Sequence, residues 1–398
     1  MRKINVCTSE QTDQAAHLQF ANQFCWPDRV HCVIDLRRLS IHARRSADAE
    51  PMTAAHKTKQ GGKILKILSR AVLALLLSSG ALFAGSAFAA PAAKKLPAHC
   101  SDKCLTGAMN SYIAALVAHD PSQVPLASNV EFVENTKDLK PGEGLWKTAS
   151  APPATFKIYV PDSVSEQVGF LGVMQAESKP IILALRLKVR HGQIVAAEHL
   201  IAPITSRPGF PSAMKNLQET PKPFVTEVPA SERDSRSDMI RIASMYYPAL
   251  SHADANDAPF ADDCVRHENG MQTVANPRPA KITSAMSLLG SYSCEAQIKS
   301  GTFNYITRIE PVRVMIADPS TGLVFGLSQF RQPMKTNVYK LNGVPGFKTT
   351  TINVKPFDLP AAHVFKIYGG KIHQIEAMGF SIPYDSKTGW ENYPDHGR

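Results

Sequence analysis

Beyond residue 100 the apolar positions follow two rhythms in turn. Leu105, Ala108, Met109, Tyr112, Ile113, Leu116 and Val117 recur at helical spacing; Asp102 stands where a cap would, and Asp120-Pro121 stops the run. Residues 129–134 then alternate in period two, with Val130, Phe132 and Glu134 on one face and Glu131 and Val133 on the other, which predicts a strand. Segments of β type follow near 156–161, 167–176, 181–190 and 193–202, with turns at Pro161-Asp162, Ser178-Lys179-Pro180 and His191-Gly192. A long helix, a strand and then four antiparallel strands predict an α+β unit.

The same order then returns. Residues 246–269 align without a gap on residues 112–135 at an offset of 134, and eight of the 24 positions are identical: Tyr112/Tyr246, Ala115/Ala249, Leu116/Leu250, Asp120/Asp254, Pro125/Pro259, Ala127/Ala261, Glu134/Glu268 and Asn135/Asn269. A self-match at fixed offset decides architecture before any single residue does, and it predicts two copies of one domain. The second copy is expected to hold a helix from about 237 to 251, a strand near 262–268, a helical stretch near 281–299, and strands near 303–317, 322–331, 361–369 and 372–380. Lys188, Gly192, Ile194 and Glu198 meet Lys366, Gly370, Ile372 and Glu376 at an offset of 178, so the second copy carries about 44 extra residues. Residues 331–360 are expected to hold much of the insertion, as a further hairpin.

These patterns divide the chain. Residues 1–51 are read as upstream or disordered sequence, and residues 52–89 as a signal peptide. Its basic start (Lys57 to Arg70) precedes an apolar run ending in Ala87-Phe88-Ala89. The first domain is placed at 100–202, a Pro-rich linker at 203–233, the second domain at 234–382 and a tail at 383–398, with residues 90–99 a disordered leader. The whole chain has a net charge of +10, but residues 1–89 hold 12 of its 44 Lys+Arg and 6 of its 34 Asp+Glu, so the remainder carries +4. That balance, with no basic cluster among aromatics, gives no support for nucleic acid as a partner. A periplasmic or secreted location follows, with the membrane met only during export. Four cysteines remain beyond the signal, and in an oxidising compartment an even count favours disulfides. The favoured pairs are Cys264 with Cys294 and Cys100 with Cys104. Their spacing lacks the paired ligands of a zinc site.

An N-terminal helix with Tyr-x-x-Ala-Leu, a short strand ending in Glu-Asn, and a sheet closing on a Gly-x-Ile hairpin resemble the nuclear transport factor 2-like cone fold. That superfamily includes the SnoaL-like polyketide cyclases, ketosteroid isomerase and scytalone dehydratase. The turn Gly142-Glu143-Gly144-Leu145-Trp146, the run Arg266-His267-Glu268-Asn269-Gly270, and the series Cys294, Gln297, Gly301, Tyr305 and Arg308 look like those of secreted fungal and bacterial proteins of unassigned function with this fold. The resemblance covers about residues 100–382. It implies two cone-like domains, each an N-terminal helix packed on a curved antiparallel sheet. The acid-base residues of the characterised enzymes have no motif match here, and one fold hosts many chemistries.

In such a cone the concave face encloses an apolar pocket. If Phe132 faces inward, Glu134 follows it at the rim, and Cys264, Arg266 and Glu268 take the same face in the second copy. A rim carboxylate suits a general base beside a carbonyl. Equally, Glu134 and Glu268 suit acceptors of loop backbone N–H groups, with Asn135 and Asn269 in turn conformations. The more polar second copy is the expected site: Glu268 or His267 as base, Arg308 to hold a carboxylate, and Tyr305 to donate to an oxyanion. The rival roles are a salt bridge from Arg308 to Glu268 or Glu310, and core packing for Tyr305. Arg266, Asn269, Glu134, Asn135 and Trp146 complete the candidate binding set, while His199, His373 and Glu376 are weaker candidates. There is no GxSxG, HExxH, P-loop or GxGxxG. The reading is an exported protein binding a small carbonyl-bearing or carboxylated molecule, with isomerase, dehydratase or lyase chemistry needing no cofactor and no metal. Its alternative is a non-catalytic envelope module, paired within the chain or with another copy.

Overall fold

A computed structural model describes residues 93–204, 211–395 and 397; the expected extension (1–51) and signal peptide (52–89) lie outside the described residues. Helix α1 (Asp102–Val117) opens the first half. Its cap is Ser101, whose hydroxyl accepts from the Cys104 N–H, while Asp102 starts the helix and accepts from the Ser163 N–H at 2.8 Å. Strands β1 (Leu126–Glu134) and β2 (Lys137–Asp138), the single turn α2 (Leu145–Thr148), and strands β3 (Ala149–Ala151), β4 (Lys157–Asp162), β5 (Gln167–Ala176), β6 (Lys179–Arg190) and β7 (Gln193–Pro203) follow. The sheet order is β2-β1-β7-β6-β5-β3, with β4 also on β5.

Helix α3 (Pro211–Asn216) leads to α4 (Arg236–His252), β8 (Phe260–Glu268), β9 (Met271–Gln272), α5 (Ala285–Leu289), α6 (Cys294–Lys299), β10 (Arg308–Asp318) and β11 (Leu323–Gln332). The insertion then forms β12 (Val338–Lys340) and β13 (Thr349–Thr351), and β14 (Phe357–Tyr368), β15 (Lys371–Gly379) and β16 (Ile382–Pro383) close the half. The order β10-β11-β14-β15-β8-β9 repeats the first sheet. The fold is α+β, with two curled sheets and a helix packed on each. The helix expected over 281–299 is two short ones, parted after Gly290 and restarted by Ser293, whose hydroxyl accepts from Ala296 N–H. Each sheet also departs from a purely antiparallel one: β1 runs parallel to β7, and β8 to β15. The intervening meander supplies the long crossover that parallel neighbours need.

Three of the identical pairs of the repeat do identical work. Asp120 and Asp254 cap the turns after the helices, accepting from Ser122 N–H and Asn256 N–H at 3.0 and 2.9 Å. The Pro125 and Pro259 carbonyls accept from Ile194 N–H and Ile372 N–H at 2.9 and 2.8 Å. Asn135 and Asn269 sit at φ +45° and +48°, and each side chain bridges the backbone of the last strand: Asn135 to Ile201, Asn269 to Gly379. Asn tolerates that left-handed conformation and offers both donor and acceptor.

The three largest apolar clusters among the described residues follow from this arrangement. Tyr112, Phe132 and Trp146 belong to the first, under α1; Tyr246, Tyr247 and Phe365 to the second, under α4; and the backs of both sheets share the third. In that seam Phe156, Leu171 and Ile182 meet Phe325, Leu327 and Val364, sheet on sheet. Gly169 makes the fit close, since a Cβ there would lie 2.4 Å from the Phe325 ring. Each such side chain contributes about 1.5–3 kcal/mol on burial.

Segments expected to be featureless are anchored. Leu96 of the leader donates its N–H to Gly192 O at 2.9 Å. Leu217, Phe224 and Val228, between the halves, are buried. The tail returns to the first half, where Trp390 lies 5.4 Å from the Arg186 guanidinium and 5.7 Å from that of Arg313. Arg313 grips Glu198 through two hydrogen bonds, at 2.8 and 2.6 Å.

Candidate functional site

Strand β8 delivers its last residues to opposite faces, as period two requires. Cys264 and Arg266 turn toward α4. Cys264 is bonded to Cys294, the first residue of α6, and this bridge holds α6 against the strand. Gln297 of α6 then takes one Arg266 nitrogen on its Oε1 and donates through Nε2 to Thr273 O and Leu289 O at 2.7 and 3.0 Å. Arg266 Nε lies 2.9 Å from Glu268 Oε1 and donates to Thr273 Oγ1 at 3.0 Å, and the guanidinium sits 5.0 Å from the Phe303 ring. Its Nη1 has no hydrogen-bond partner. Arg266 is 1% exposed and the Glu268 side chain 30%, so the pair runs from interior to rim.

The surroundings keep this charge in a dry setting. Burial pushes the Tyr246 hydroxyl up to about 12, with Arg266 opposing the shift. Tyr305 is raised as well, by burial first and then by the Glu268 charge. His363 is pulled down to about 3 by burial, assisted by the Arg266 charge, and is a neutral ring at physiological pH. It lies 5.7 Å from the Phe365 ring in a stack and 5.5 Å from Tyr246. For Arg266 itself burial is the largest influence and acts downward, but its interactions with Tyr246 and with the Glu268 carboxylate outweigh it and hold the group above its ordinary value.

In the first half the corresponding groups form a chain instead. The Tyr112 hydroxyl lies 3.1 Å from His199 Nε2, and His199 Nδ1 lies 3.0 Å from Glu134 Oε2. Glu134 also accepts from the Leu145 N–H, at 3.1 and 2.9 Å to its two oxygens. Gly144, just before, is required by this contact: a Cβ would fall 2.1 Å from Glu134 Oε1, and its φ is +60°. The Trp146 ring packs edge-on to Tyr112 at 5.1 Å.

The structure therefore brings Arg266, Glu268 and Tyr305 together and sets His267 and Arg308 apart. His267 points to the other face of β8, where its Nδ1 lies 2.9 Å from Glu376. Arg308 is exposed and pairs with Glu310 at 3.1 Å. His373 lies at the surface, 2.7 Å from Asp263 and stacked on Tyr368. Asn135 and Asn269 are occupied by their strand turns. The pairs Cys100–Cys104 and Cys264–Cys294 are both disulfides. Tyr246, His363 and Thr273 were not singled out from sequence as parts of this cluster. Their signal was indirect: the repeat sets Arg266 against Phe132, a charge at a core position. Among the described residues no group of His, Cys, Asp and Glu is arranged to hold a metal, and no helix is long and apolar enough to cross a membrane.

Comparison with known proteins adds little beyond this geometry. A family model described as a domain of unknown function (DUF8021) matches residues 232–379. No curated protein matches the chain. Among solved structures, the chain is similar to a candidate polyketide cyclase from Silicibacter sp. TM1040 at 15% identity, over 37% of this chain and 90% of that one, with a TM-score of 0.23.

Proposed function

We propose that the second half binds a small carboxylated or carbonyl-bearing organic molecule at Arg266. The observation that carries this reading is a fully buried guanidinium with one nitrogen unbonded, beside two tyrosine hydroxyls. A buried donor without a partner costs about 1–3 kcal/mol, and a ligand oxygen would recover it. In the finer reading the site promotes isomerisation, dehydration or lyase chemistry without a cofactor. Glu268, at the rim, takes the proton next to the carbonyl, and Tyr246 and Tyr305, both protonated across the physiological range, donate to the developing oxyanion. The two disulfides support an exported protein. The shared strand order and repeated hydrogen bonds support two copies of one domain, at 100–202 and 234–382, joined by 203–233.

The test is a small-molecule screen by thermal shift, followed by titration of hits against Arg266→Lys, Arg266→Met and Glu268→Gln. Binding should fall at least tenfold in Arg266→Met. Turnover, where present, should vanish in Glu268→Gln with binding retained. Hits whose affinity ignores Arg266 would overturn the reading.

One observation favours a non-catalytic envelope module instead. Tyr246, Tyr247, Phe330, His363 and Phe365 pack ring against ring on the concave face of the second sheet. A screen of carboxylates and ketones with no hit would favour that module.

A further inference from the structure

The first half holds an opening unrelated to the strand-end carboxylates. A cleft of about 280 Å³ lies between the outer flank of α1 and the edge strand β4. Asn110, Ile113, Ala114 and Val117 line it from the helix, at the i, i+3, i+4, i+7 spacing that places them on one stripe. Tyr159 and Lys157 line it from β4, and Pro152 and Pro153 line it from the segment between β3 and β4. That volume is near the lower limit for a ligand pocket, about 300 Å³.

The walls specify a chemistry. Ile113, Val117, both prolines and the Tyr159 ring offer apolar and flat surface. The Tyr159 ring is fixed, packed edge-on to Phe170 at 5.1 Å, with its hydroxyl donating to Asn110 Oδ1 at 2.7 Å. Lys157 is exposed, and its ammonium forms no ion pair among the described residues. Its backbone, by contrast, is held, by the Thr220 hydroxyl and by pairing with Gly172. At the offset of 134 the second half has Ser244, Tyr247, Pro248 and Ser251 on this stripe, with Tyr247 buried, so the opening belongs to the first half.

We infer that this cleft binds a small aromatic or alicyclic anion, its ring between α1 and the Tyr159 and proline walls and its carboxylate toward Lys157. An apolar body with one charged end is what apolar walls beside an unpaired cation select.

The probe is 2-naphthoate, with 2-naphthamide as its uncharged counterpart, titrated calorimetrically against the full chain. A molecule of this size should bind with a Kd of about 0.1–1 mM. Lys157→Gln should weaken naphthoate about fivefold, the scale of an exposed ion pair, and leave the amide unchanged. Ala114 is exposed, so Ala114→Trp fills the cleft without disturbing the core and should abolish binding of both. Arg266→Met should change neither, which separates this cleft from the site of the second half. No saturable binding up to about ten times that Kd, unchanged affinity in Ala114→Trp, or loss in Arg266→Met would each overturn the inference.

Discussion

Glu134 and Glu268 end equivalent strands, precede equivalent asparagines, and yet answer to different partners. Glu134 meets a histidine that reaches back to Tyr112; Glu268 meets an arginine that reaches in beside Tyr246. Two substitutions account for the change. His199 of the first half is Ala377 in the second, beside the carboxylate in each register, and Phe132 is Arg266. Remove the ring, and the space between tyrosine and carboxylate must be filled by something else; the second half fills it with a cation. One scaffold position thus supports a hydrogen-bonded chain with every group partnered, or a buried charge with a donor to spare.

The largest effect expected is on that charge. Glu268→Gln removes the counter-ion of a buried guanidinium and should destabilise the protein by about 3–5 kcal/mol in urea unfolding, reduced by the partial exposure of Glu268. Pairing it with Arg266→Met should restore part of the loss, so a double-mutant cycle isolates the interaction. Additive losses would show that the two do not act together.

Next come the two bridges. Replacing Cys264 and Cys294 by serine opens a loop of 30 residues and should cost about 3–4 kcal/mol on chain entropy, against about 2 for the four-residue loop of Cys100 and Cys104. Equal losses would mean that the pinning of α6 adds nothing to stability. His199→Ala, which gives the first half the residue of the second, should cost about 1–3 kcal/mol by stranding the Tyr112 hydroxyl. Adding Tyr112→Phe should then cost less than it does in the wild type.

At neutral pH the smallest effect is that of His363, which emerges only in acid. His363 titrates near 3 in the fold and near about 6.5 when unfolded, so between those values the unfolded chain binds more protons. Stability should therefore fall as pH drops below about 6.5, while above it the histidine contributes no slope. His363→Phe should flatten that part of the profile relative to wild type; parallel profiles would place the acid response elsewhere.

Much of the fold was legible. The strands near 167–176 and 193–202, the hairpin turn at His191-Gly192 and the small hairpin within 331–360 all followed from alternation and turn residues. Pairing was not. Nothing in the period of residues 126–134 says that they lie beside residues 193–203 and run the same way, because register between distant strands depends on the whole sheet. A lone tryptophan in a polar tail gives no hint that it will pack against Arg186 and Arg313. The candidate cluster was half legible: alternation put Arg266 and Glu268 on one face, but the same rule sends His267 to the other, where Glu376 waits. Arg308 is expected on a strand that crosses the cavity, but it starts an edge strand and is exposed beside Glu310, which the alternation of apolar residues does not reveal.

Gly169 and Phe325 lend the seam a lock with distinct sides. The hollow is on one sheet and the ring that enters it on the other, so two first halves would present a gap to a gap, and two second halves a bulge to a bulge.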